Sequence, residues 1–327
     1  MARFVLGVDG GTTKTHCALF DTDGERIDFL PFGPTNHERL AGSFNELEEK
    51  LRELVREILG RNQLAIADLA ASVFGLSGVD ARFQREKIAQ ILRNIGFSRF
   101  ILCNDAYLGV KAGSRSGMGI GVINGTGCSV CGIDPAGRML QLNGQGEITG
   151  EPGGGGYLGS RATQAAYNFL FRGGPATRIT DLLWQRLGIR SKFDLIDCLR
   201  EKLEYGGLRL ADLAPVIFQA ANYGDRVALA ILETMGTEIA ASVNGVVREL
   251  AFAPDQPLEI VLAGSIAVKG ENPAALNRLQ REVRAAQPGR VLNFIVLNQS
   301  PVAGAVVWAL QEVRRDNALY DKVVAQL

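Results

Sequence analysis

The feature that most restricts how this chain can fold is a pattern that occurs twice. In each half, an apolar run leads into a bend rich in Gly and Thr, and a second apolar run leads into an Asp-x-x-Gly turn before a third. The bends are residues 10–14 and 124–127, and the turns are residues 21–24 and 134–137. Either bend alone could be an ordinary tight hairpin, but a repeat of the whole series indicates a duplicated structural unit.

After the third run, both halves continue with alternating helix and strand patterns. Amphipathic segments of helical period alternate with apolar runs of strand length, so each half has the order βββαβαβα. These segments are 44–59, 70–76, 82–94, 99–103 and 106–112 in the first half, and 157–171, 258–262, 272–286, 290–297 and 301–314 in the second. The second half also contains a mainly helical insertion at about 177–250. We therefore predict an α/β protein with domains 1–113 and 114–327, joined by a linker at 113–117.

Composition narrows the class of protein. The 327 residues contain 35 basic and 35 acidic side chains, and this balance argues against a nucleic-acid or membrane-surface partner. No apolar run reaches the roughly 18 residues of a membrane span. The chain runs directly from Met1 into an apolar strand, so we expect no signal peptide. Five scattered cysteines are typical of reduced thiols, and we predict a cytoplasmic protein.

The first bend joins two strands and carries groups suited to a polyphosphate. Glycine lets backbone N–H groups approach an anion, and Thr12 and Thr13 offer hydroxyl groups to the same oxygens. Asp9, at the end of the first strand, could hold a hydrated Mg²⁺ beside them. The bend is not a Walker A loop, because a strand rather than a helix follows it. The alternative is a plain hairpin with a surface acid.

Two other motifs carry less weight. Cys128 and Cys131 have the spacing of a redox or metal pair, but they lie within a predicted strand and no second pair accompanies them. Gly154, Gly156 and Gly159 match the G-x-G-x-x-G pattern, but no strand leads into it. The match therefore does not predict a dinucleotide site.

Taken in series, the motifs resemble those of the actin/hexokinase/Hsp70 ATPase superfamily, whose members have a duplicated ribonuclease-H-like fold around a nucleotide cleft. Within it they resemble the N-acetylglucosamine kinases and their bacterial relatives. This branch is grouped with the ATPase subunits and activators of benzoyl-CoA reductase and 2-hydroxyacyl-CoA dehydratases, the BadF/BadG/BcrA/BcrD family. The segments that carry the resemblance are 9–15, 35–37, 104–106, 124–127 and 144–159. They occur in the family's order along nearly the whole chain.

The resemblance implies that ATP and Mg²⁺ bind in the cleft. The residues implied in phosphate binding are Asp9, Gly10, Gly11, Thr12, Thr13, Lys14, Gly125, Thr126 and Gly127. Those implied on the adenosine side are Ala221, Gly264 and Ser265. Asp9 would also hold the Mg²⁺, through water.

The resemblance also implies an acceptor site for an amino sugar. Asp105 lies where the kinases place their catalytic base, and a carboxylate there could orient a sugar hydroxyl and take its proton. The residues implied in sugar binding are Asp105, Asn36, Ser129, Gly144, Gln145, Gly146 and Glu151. The alternatives are a helix N-cap for Asp105 and a turn residue for Asn36. The expected reaction is phosphoryl transfer from ATP to an amino sugar, first of all to the 6-hydroxyl of N-acetylglucosamine.

The sequence departs from the kinase pattern in the loop that would hold the sugar. Gln145 stands where the kinases usually have Trp, and Glu151 stands where they have Asp. Pro152 and Gly154 replace the usual Glu and Ser. These changes leave the nucleotide motifs in place and leave the identity of the sugar open.

Two other functions stay open beside a kinase of a small-molecule sugar. One is an ATPase subunit that drives electron transfer in a partner reductase, since such relatives hold an iron–sulfur cluster between two subunits. The other is a nucleotide or sugar sensor without catalysis. The resemblance further implies a homodimer, and a last helix at about 301–320 that packs on the first domain.

Overall fold

Two five-stranded sheets of the same topology form the framework of the protein. The structure is a computed structural model, and it describes residues 3–144, 146 and 149–327. The first sheet has the strand order β3-β2-β1-β4-β5, and the second has the order β10-β9-β6-β7-β8. In each sheet the first three strands are antiparallel and the other two are parallel to the first. The predicted duplicated α/β fold is confirmed. We call residues around the first sheet the first lobe and those around the second sheet the second lobe.

The first lobe follows the predicted order, with boundaries shifted by a few residues at most. Its elements are β1 (Phe4–Gly10), β2 (Thr15–Asp21), β3 (Arg26–Phe32), α1 (Ser43–Arg61), β4 (Leu69–Leu76), α2 (Arg82–Ile95), β5 (Ile101–Cys103) and α3 (Ala106–Gly113). Apolar side chains of α1 and α2, spaced at helical period, are buried against this sheet.

The second lobe repeats this order around a helical insertion. Its elements are β6 (Gly119–Asn124), β7 (Cys128–Ile133), β8 (Met139–Gln141), α4 (Gly154–Phe171), α5 (Arg178–Leu187), α6 (Leu195–Glu204), α7 (Ala214–Asn222), α8 (Arg226–Glu249), β9 (Leu258–Ala263), α9 (Ser265–Lys269), α10 (Ala274–Ala286), β10 (Leu292–Val296), α11 (Pro301–Arg314) and α12 (Tyr320–Val324). Among the described residues, no helix has both the length and the apolar character needed to cross a membrane.

The two Asp-x-x-Gly turns have the same hydrogen bonds. Asp21 Oδ1 accepts from the N–H groups of Asp23 and Glu25 at 2.9 and 2.8 Å. Asp134 Oδ1 accepts from Ala136 and Arg138 in the same way, both at 2.9 Å. The glycines that close the two turns have positive φ angles of 80° and 75°, which favour glycine over other residues. The repeat in the sequence is therefore a repeat in backbone geometry.

Helix α11 lies against the first lobe although it ends the second half of the repeat. Its residues Val302 and Val306 share a buried cluster with Val5 of β1 and Val73 of β4. A Cβ atom on Gly7 of β1 would lie 2.8 Å from Val306 Cγ2, so the helix approaches the strand closely. A helix near the end of the chain therefore packs against a strand near its start.

The predicted linker lies between α3 and β6, where residues 114–118 form no helix or strand. It is packed against the second lobe, since Ser114 is buried and its hydroxyl lies 2.5 Å from Glu259 Oε2 of β9. One helix boundary was predicted wrongly. The helix predicted to begin at Tyr157 begins at Gly154, inside the glycine run. Contacts of the glycines with the neighbouring hairpin, described below, stabilise this first turn against the low helix propensity of glycine.

Candidate active site

The candidate site lies at the carboxyl ends of the parallel strands of the first sheet. Strand β1 ends beside Asp9, the loop after β4 contains Asp80, and β5 is followed by Asp105. Because β1, β4 and β5 are parallel, their carboxyl ends meet at one edge of the sheet, where ligands bind in open α/β sheets. Three carboxyl groups are thereby brought to one edge.

The environment makes these three carboxyl groups less acidic than usual. Burial, and after it the negative charges of Asp9 and Asp80, raise the pKa of Asp105, while nearby backbone N–H groups lower it, and the net value is about 8. Burial raises the pKa of Asp9 to about 7, against the opposing charge of Lys14. Carboxyl groups that burial and mutual repulsion perturb in this way are typical of functional sites.

The N-cap alternative for Asp105 is not what the structure shows. Helix α3 begins after Asp105, but no side-chain hydrogen bond from Asp105 caps it. Instead, Asn104 Oδ1 accepts from the N–H of Ala106 at 2.9 Å. The neighbouring asparagine therefore accepts from the first N–H group of the helix, and the carboxyl group of Asp105 makes no capping bond to the turn that follows.

Asp80 is a site residue that the sequence analysis missed. Its Oδ1 atom accepts from Asn104 Nδ2 at 2.9 Å and from Gln141 Nε2 at 2.6 Å. Its pKa is raised to about 6, chiefly by burial; the Gln141 hydrogen bond lowers the pKa, and the charges of Glu38 and Glu151 raise it. The rule that drew attention to Asp105, an acid just after a parallel strand, applies equally to the loop after β4.

The first bend is a strand-to-strand hairpin, as predicted. Gly10 pairs with Thr15, and the N–H of Gly11 donates to the carbonyl of Lys14 at 2.9 Å. Gly10 has a packing reason to be glycine, since a Cβ atom there would lie 2.4 Å from Leu76 Cδ2 and from Thr35 Oγ1. The tip residues, among them Thr13 and Lys14, are exposed.

The second bend meets the glycine run at Asn124, which the sequence analysis also missed. Asn124 Oδ1 accepts from the N–H of Gly154 at 2.7 Å. The next two N–H groups of the run, of Gly155 and Gly156, donate to the carbonyls of Gly125 and Thr126 at 2.8 and 3.2 Å. The bend 124–127 and the start of α4 therefore form one rigid unit, which we call the glycine cradle.

The cradle includes the loop after β9. A Cβ atom on Gly264 would lie 2.5 Å from the carbonyl oxygen of Asn124, and φ of Gly264 is 90°. By contrast, a Cβ atom on Gly127 would meet nothing within 4 Å. Gly264 is thus enclosed by the cradle. Gly127, by contrast, faces open space, and Ser265, the residue after Gly264, is exposed to solvent.

An apolar cavity of about 420 Å³ lies beside the cradle in the second lobe. Asn124, Phe218, Met235, Ile239, Ile266 and Asn272 are among its lining residues. Ala221, the predicted adenosine contact, is buried in α7, the same helix that places Phe218 in the lining. The volume and the largely apolar lining with a few polar groups are those of a site for a small molecule.

Of the residues predicted to bind sugar, Asn36 is the one most occupied by its own lobe. It is buried, and its Nδ2 group donates to Thr12 Oγ1 at 3.1 Å and to Ser77 Oγ at 3.2 Å. Its Oδ1 atom accepts from the N–H of Glu38 at 2.9 Å. Asn36 therefore ties the predicted phosphate hairpin to the loop after β4, and its predicted role in sugar binding stays a prediction.

The second lobe brings Ser129, Gly144, Gly146 and Glu151 together near Asp80. A Cβ atom on Gly144 would lie 2.9 Å from Asp80 Oδ1 and 3.2 Å from Ser129 Oγ. The carboxylate of Glu151 accepts from the N–H groups of Gly144 and Gly146 at 2.6 and 3.1 Å and so closes this loop. Gln145 lies outside the described residues, as does Glu147.

The comparisons with known proteins agree with this architecture. Residues 6–309 match the BadF/BadG/BcrA/BcrD ATPase family. The chain belongs to this family. Family membership makes it a relative of ATPases and supports the use of ATP at the cleft.

Two named proteins are similar to this chain over most of its length. A Clostridium acetobutylicum protein named N-acetylmuramic acid/N-acetylglucosamine kinase is 28% identical over 81% of this chain and 85% of its own. A Dictyostelium discoideum protein named N-acetyl-D-glucosamine kinase is 25% identical over 93% of this chain and 97% of its own.

Solved structures share the fold of this family member. A candidate N-acetylglucosamine kinase from Chromobacterium violaceum covers 94% of this chain and 99% of its own, with a TM-score of 0.69 and 22% identity. A ROK hexokinase from Thermus thermophilus covers 95% and 99%, with a TM-score of 0.57 and 20% identity. These likenesses show that the chain shares its fold with these proteins.

Proposed function

We propose that the protein is an ATP-dependent kinase that phosphorylates an amino sugar, with N-acetylglucosamine and its 6-hydroxyl as the first candidate acceptor. The observation that carries the proposal is the placement of Asp105. Its carboxyl group lies beside two other acids at the edge of the first sheet and does not cap the helix that follows. The two named relatives support the class of acceptor.

ATP would bind between the first hairpin and the glycine cradle. Thr12, Thr13, Lys14, Gly125, Thr126 and Gly127 are the residues proposed to bind its phosphates, with Gly264 and Ser265 on the nucleoside side. The cavity lined by Phe218, Met235 and Asn272 has the size and character for adenine. Phosphoryl transfer requires mainly positioning and charge stabilisation, which the backbone N–H groups of the two bends supply.

Mg²⁺ fits the residues on the first lobe. The buried carboxyl group of Asp9 has a pKa of about 7 in the protein alone, because burial disfavours its charge. A divalent cation would favour the charged form of this carboxylate, and a hydrated Mg²⁺ needs only one or two protein carboxylates beside phosphate oxygens. The cation would neutralise charge on the transferring phosphoryl group. In the described part of the chain, no three His, Cys, Asp or Glu side chains form a metal site by themselves.

Asp105 would act on the acceptor. Its carboxylate would accept a hydrogen bond from the sugar hydroxyl, orient the oxygen toward the phosphoryl group and take the proton as the new bond forms. A pKa near 8 makes this carboxylate a stronger base than an ordinary aspartate, and it also means that the charged form becomes the major one only above about pH 8.

The loop that begins after β8 and contains Gly144, Gly146 and Glu151, which we call the sugar loop, departs from the kinase pattern. This departure affects which acceptor sugar we expect. Glu151, where the kinases have Asp, accepts hydrogen bonds from the backbone N–H groups of Gly144 and Gly146. We propose that the loop still holds the amino sugar through Ser129 and the backbone of 144–146. The Clostridium relative, which is named for two sugars, makes N-acetylmuramate the second acceptor to try.

The remaining proposals concern organisation. We propose domains at 1–113 and 114–327, a cytoplasmic location and a homodimer. The helical region of the second lobe offers a surface for a second copy. Phe193 is 74% exposed there, and its ring lies 6.4 Å from that of Phe171, which is also exposed. Exposed neighbouring aromatic rings are typical of protein interfaces.

The proposal is tested by measuring ADP formation with MgATP across N-acetylglucosamine, glucosamine, N-acetylmannosamine, N-acetylmuramate and glucose. Strong stimulation by one sugar, with a sugar phosphate among the products, would establish the kinase and its substrate. Slow ADP formation that no sugar stimulates would contradict the proposed kinase activity. In that case, iron in the purified protein would indicate the reductase-type ATPase, and ligand-dependent thermal stabilisation without product would indicate a sensor.

A further inference from the structure

A hydrogen bond joins the two lobes beside the proposed acceptor site. Asp80, in the loop after β4 of the first lobe, accepts from Gln141 Nε2 at 2.6 Å. Gln141 is the last residue of β8, at the edge of the second sheet. The same Asp80 oxygen accepts from Asn104 Nδ2 at 2.9 Å, within the first lobe.

Asp80 is held in place by its own lobe. The N–H groups of Asp80 and Ala81 donate to Gln84 Oε1 at 3.1 and 2.7 Å, and Gln84 Nε2 donates to Glu38 Oε1 at 2.8 Å. Asn104 is fixed in turn through its bond to Ala106. The carboxylate of Asp80 is therefore positioned before the second lobe reaches it.

Gln141 organises the start of the sugar loop. One N–H of its amide donates to Asp80, and Nε2 also donates to the carbonyl of Asn143 at 2.9 Å. Gly144 follows so closely that a Cβ atom on it would lie 2.6 Å from Gln141 Nε2. The side chain that crosses to the first lobe is thus the one that shapes residues 141–144.

We propose that Asp80 and Gln141 form an interlobe clasp that seats the sugar loop over Asp105. Asp80 is in this view a positioning residue, and the inference rests on the proposed kinase activity. If the bond to Gln141 is lost, the bond to Asn104 still holds Asp80 within the first lobe. The loop 141–144 then loses its seat on the first lobe, so loss of the clasp weakens use of the sugar more than binding of ATP.

Reversing the polarity of the bond tests the clasp. Gln141→Glu places two carboxylates face to face, and kcat/KM for the sugar should fall about 10- to 100-fold, the range for losing a hydrogen bond to a charged group. KM for ATP should change less than about two-fold. Adding Asp80→Asn should recover much of the loss, since the new amide can donate to the Gln141→Glu carboxylate and still accept from Asn104. Gln90→Glu, on an exposed face of α2, is the matched control and should leave both constants unchanged.

The clasp is overturned if the double variant is worse than Gln141→Glu alone, or if Gln141→Glu affects sugar and ATP equally. Hydrogen exchange of residues 139–144 in the ligand-free protein is a second readout that needs no activity. Exchange should rise in Gln141→Glu and fall back when Asp80→Asn is added, and unchanged exchange contradicts the clasp. If the unmodified protein phosphorylates no sugar, the proposed function fails while the exchange measurement still decides the clasp.

Discussion

The two lobes share one backbone plan and differ in the chemistry at the edge of their sheets. Asp9 of β1 pairs with His16, and at the corresponding step of the second hairpin Ile123 of β6 pairs with Ser129. The loops after β4 and β5 carry Asp80 and Asp105. The segment after β10, residues 297–300, contains no acid, and the segment between β9 and α10, residues 264–273, contains one, Glu271.

This difference divides the work of the proposed reaction. The first lobe contributes the carboxyl groups that could hold a cation and accept a proton. The second lobe contributes the glycine cradle, whose internal hydrogen bonds fix the bend 124–127 and leave the hydroxyl group of Thr126 exposed. A duplicated fold can separate these tasks because substitutions in one copy leave the packing of the other unchanged.

The largest effect is expected at Asp105. Asp105→Asn should lower kcat by about 10²- to 10⁴-fold, the usual contribution of a general base, while ATP binding measured by calorimetry is kept. Asn298→Ala, in the segment after the corresponding strand β10, should change kcat less than about two-fold. Turnover retained in Asp105→Asn would contradict the assignment of the base to the first lobe.

The next largest effect is expected at the first hairpin. Asp9→Asn removes the carboxylate proposed to hold Mg²⁺, and kcat/KM for MgATP should fall by about 100-fold. Ile123→Val, at the corresponding position of the second hairpin, should have little effect on this constant. Equal losses in both variants would mean that the division between lobes does not hold. The measurement is a titration of activity against Mg²⁺ at fixed ATP.

A smaller effect is expected from the cradle. A Cβ atom on Gly154, where φ is 79°, would lie 2.4 Å from the carbonyl oxygen of Thr126. Gly154→Ala should therefore displace the bend and raise KM for ATP about ten-fold. Gly137→Ala is the matched control, since φ is 75° there and nothing lies within 4 Å of its Cβ atom. That control should cost about 1 kcal/mol of stability and leave KM for ATP unchanged.

The last effect is on stability rather than on activity, and it depends on pH. The pKa of Asp105 is raised from 3.8 to about 8, so between these values the folded protein binds more protons than the unfolded chain. The protonated carboxyl group therefore favours the folded protein at low pH, and this contribution to the free energy of unfolding is lost as the pH rises through the window. In thermal unfolding without ligands, the Tm of Asp105→Asn should increase relative to that of the unmodified protein as the pH rises from 5 to 8. A difference that stays constant with pH would show that the carboxyl group is already charged.

The success of the sequence analysis differed between the backbone and the site. The hairpins, the helices and the duplicated order could be predicted because alternation, helical period and turn residues act locally. Asp9 and Asp105 could be proposed because each follows an apolar strand. Asp80 and Asn124 were missed, since their importance depends on partners that are distant in the sequence, Gln141 and Gly154.

The sequence by itself determined the fold class, the repeat and the family, because these depend on local patterns that recur in order along the chain. Only the tertiary structure decided which groups face the cleft together. In the structure, the side chain of Asn104 accepts from the first N–H group of α3. The Nδ2 group of Asn36 donates to Thr12 and Ser77. Hydrogen bonds and burial of this kind depend on which loops meet at a sheet edge, and the order of residues in one loop does not specify the other.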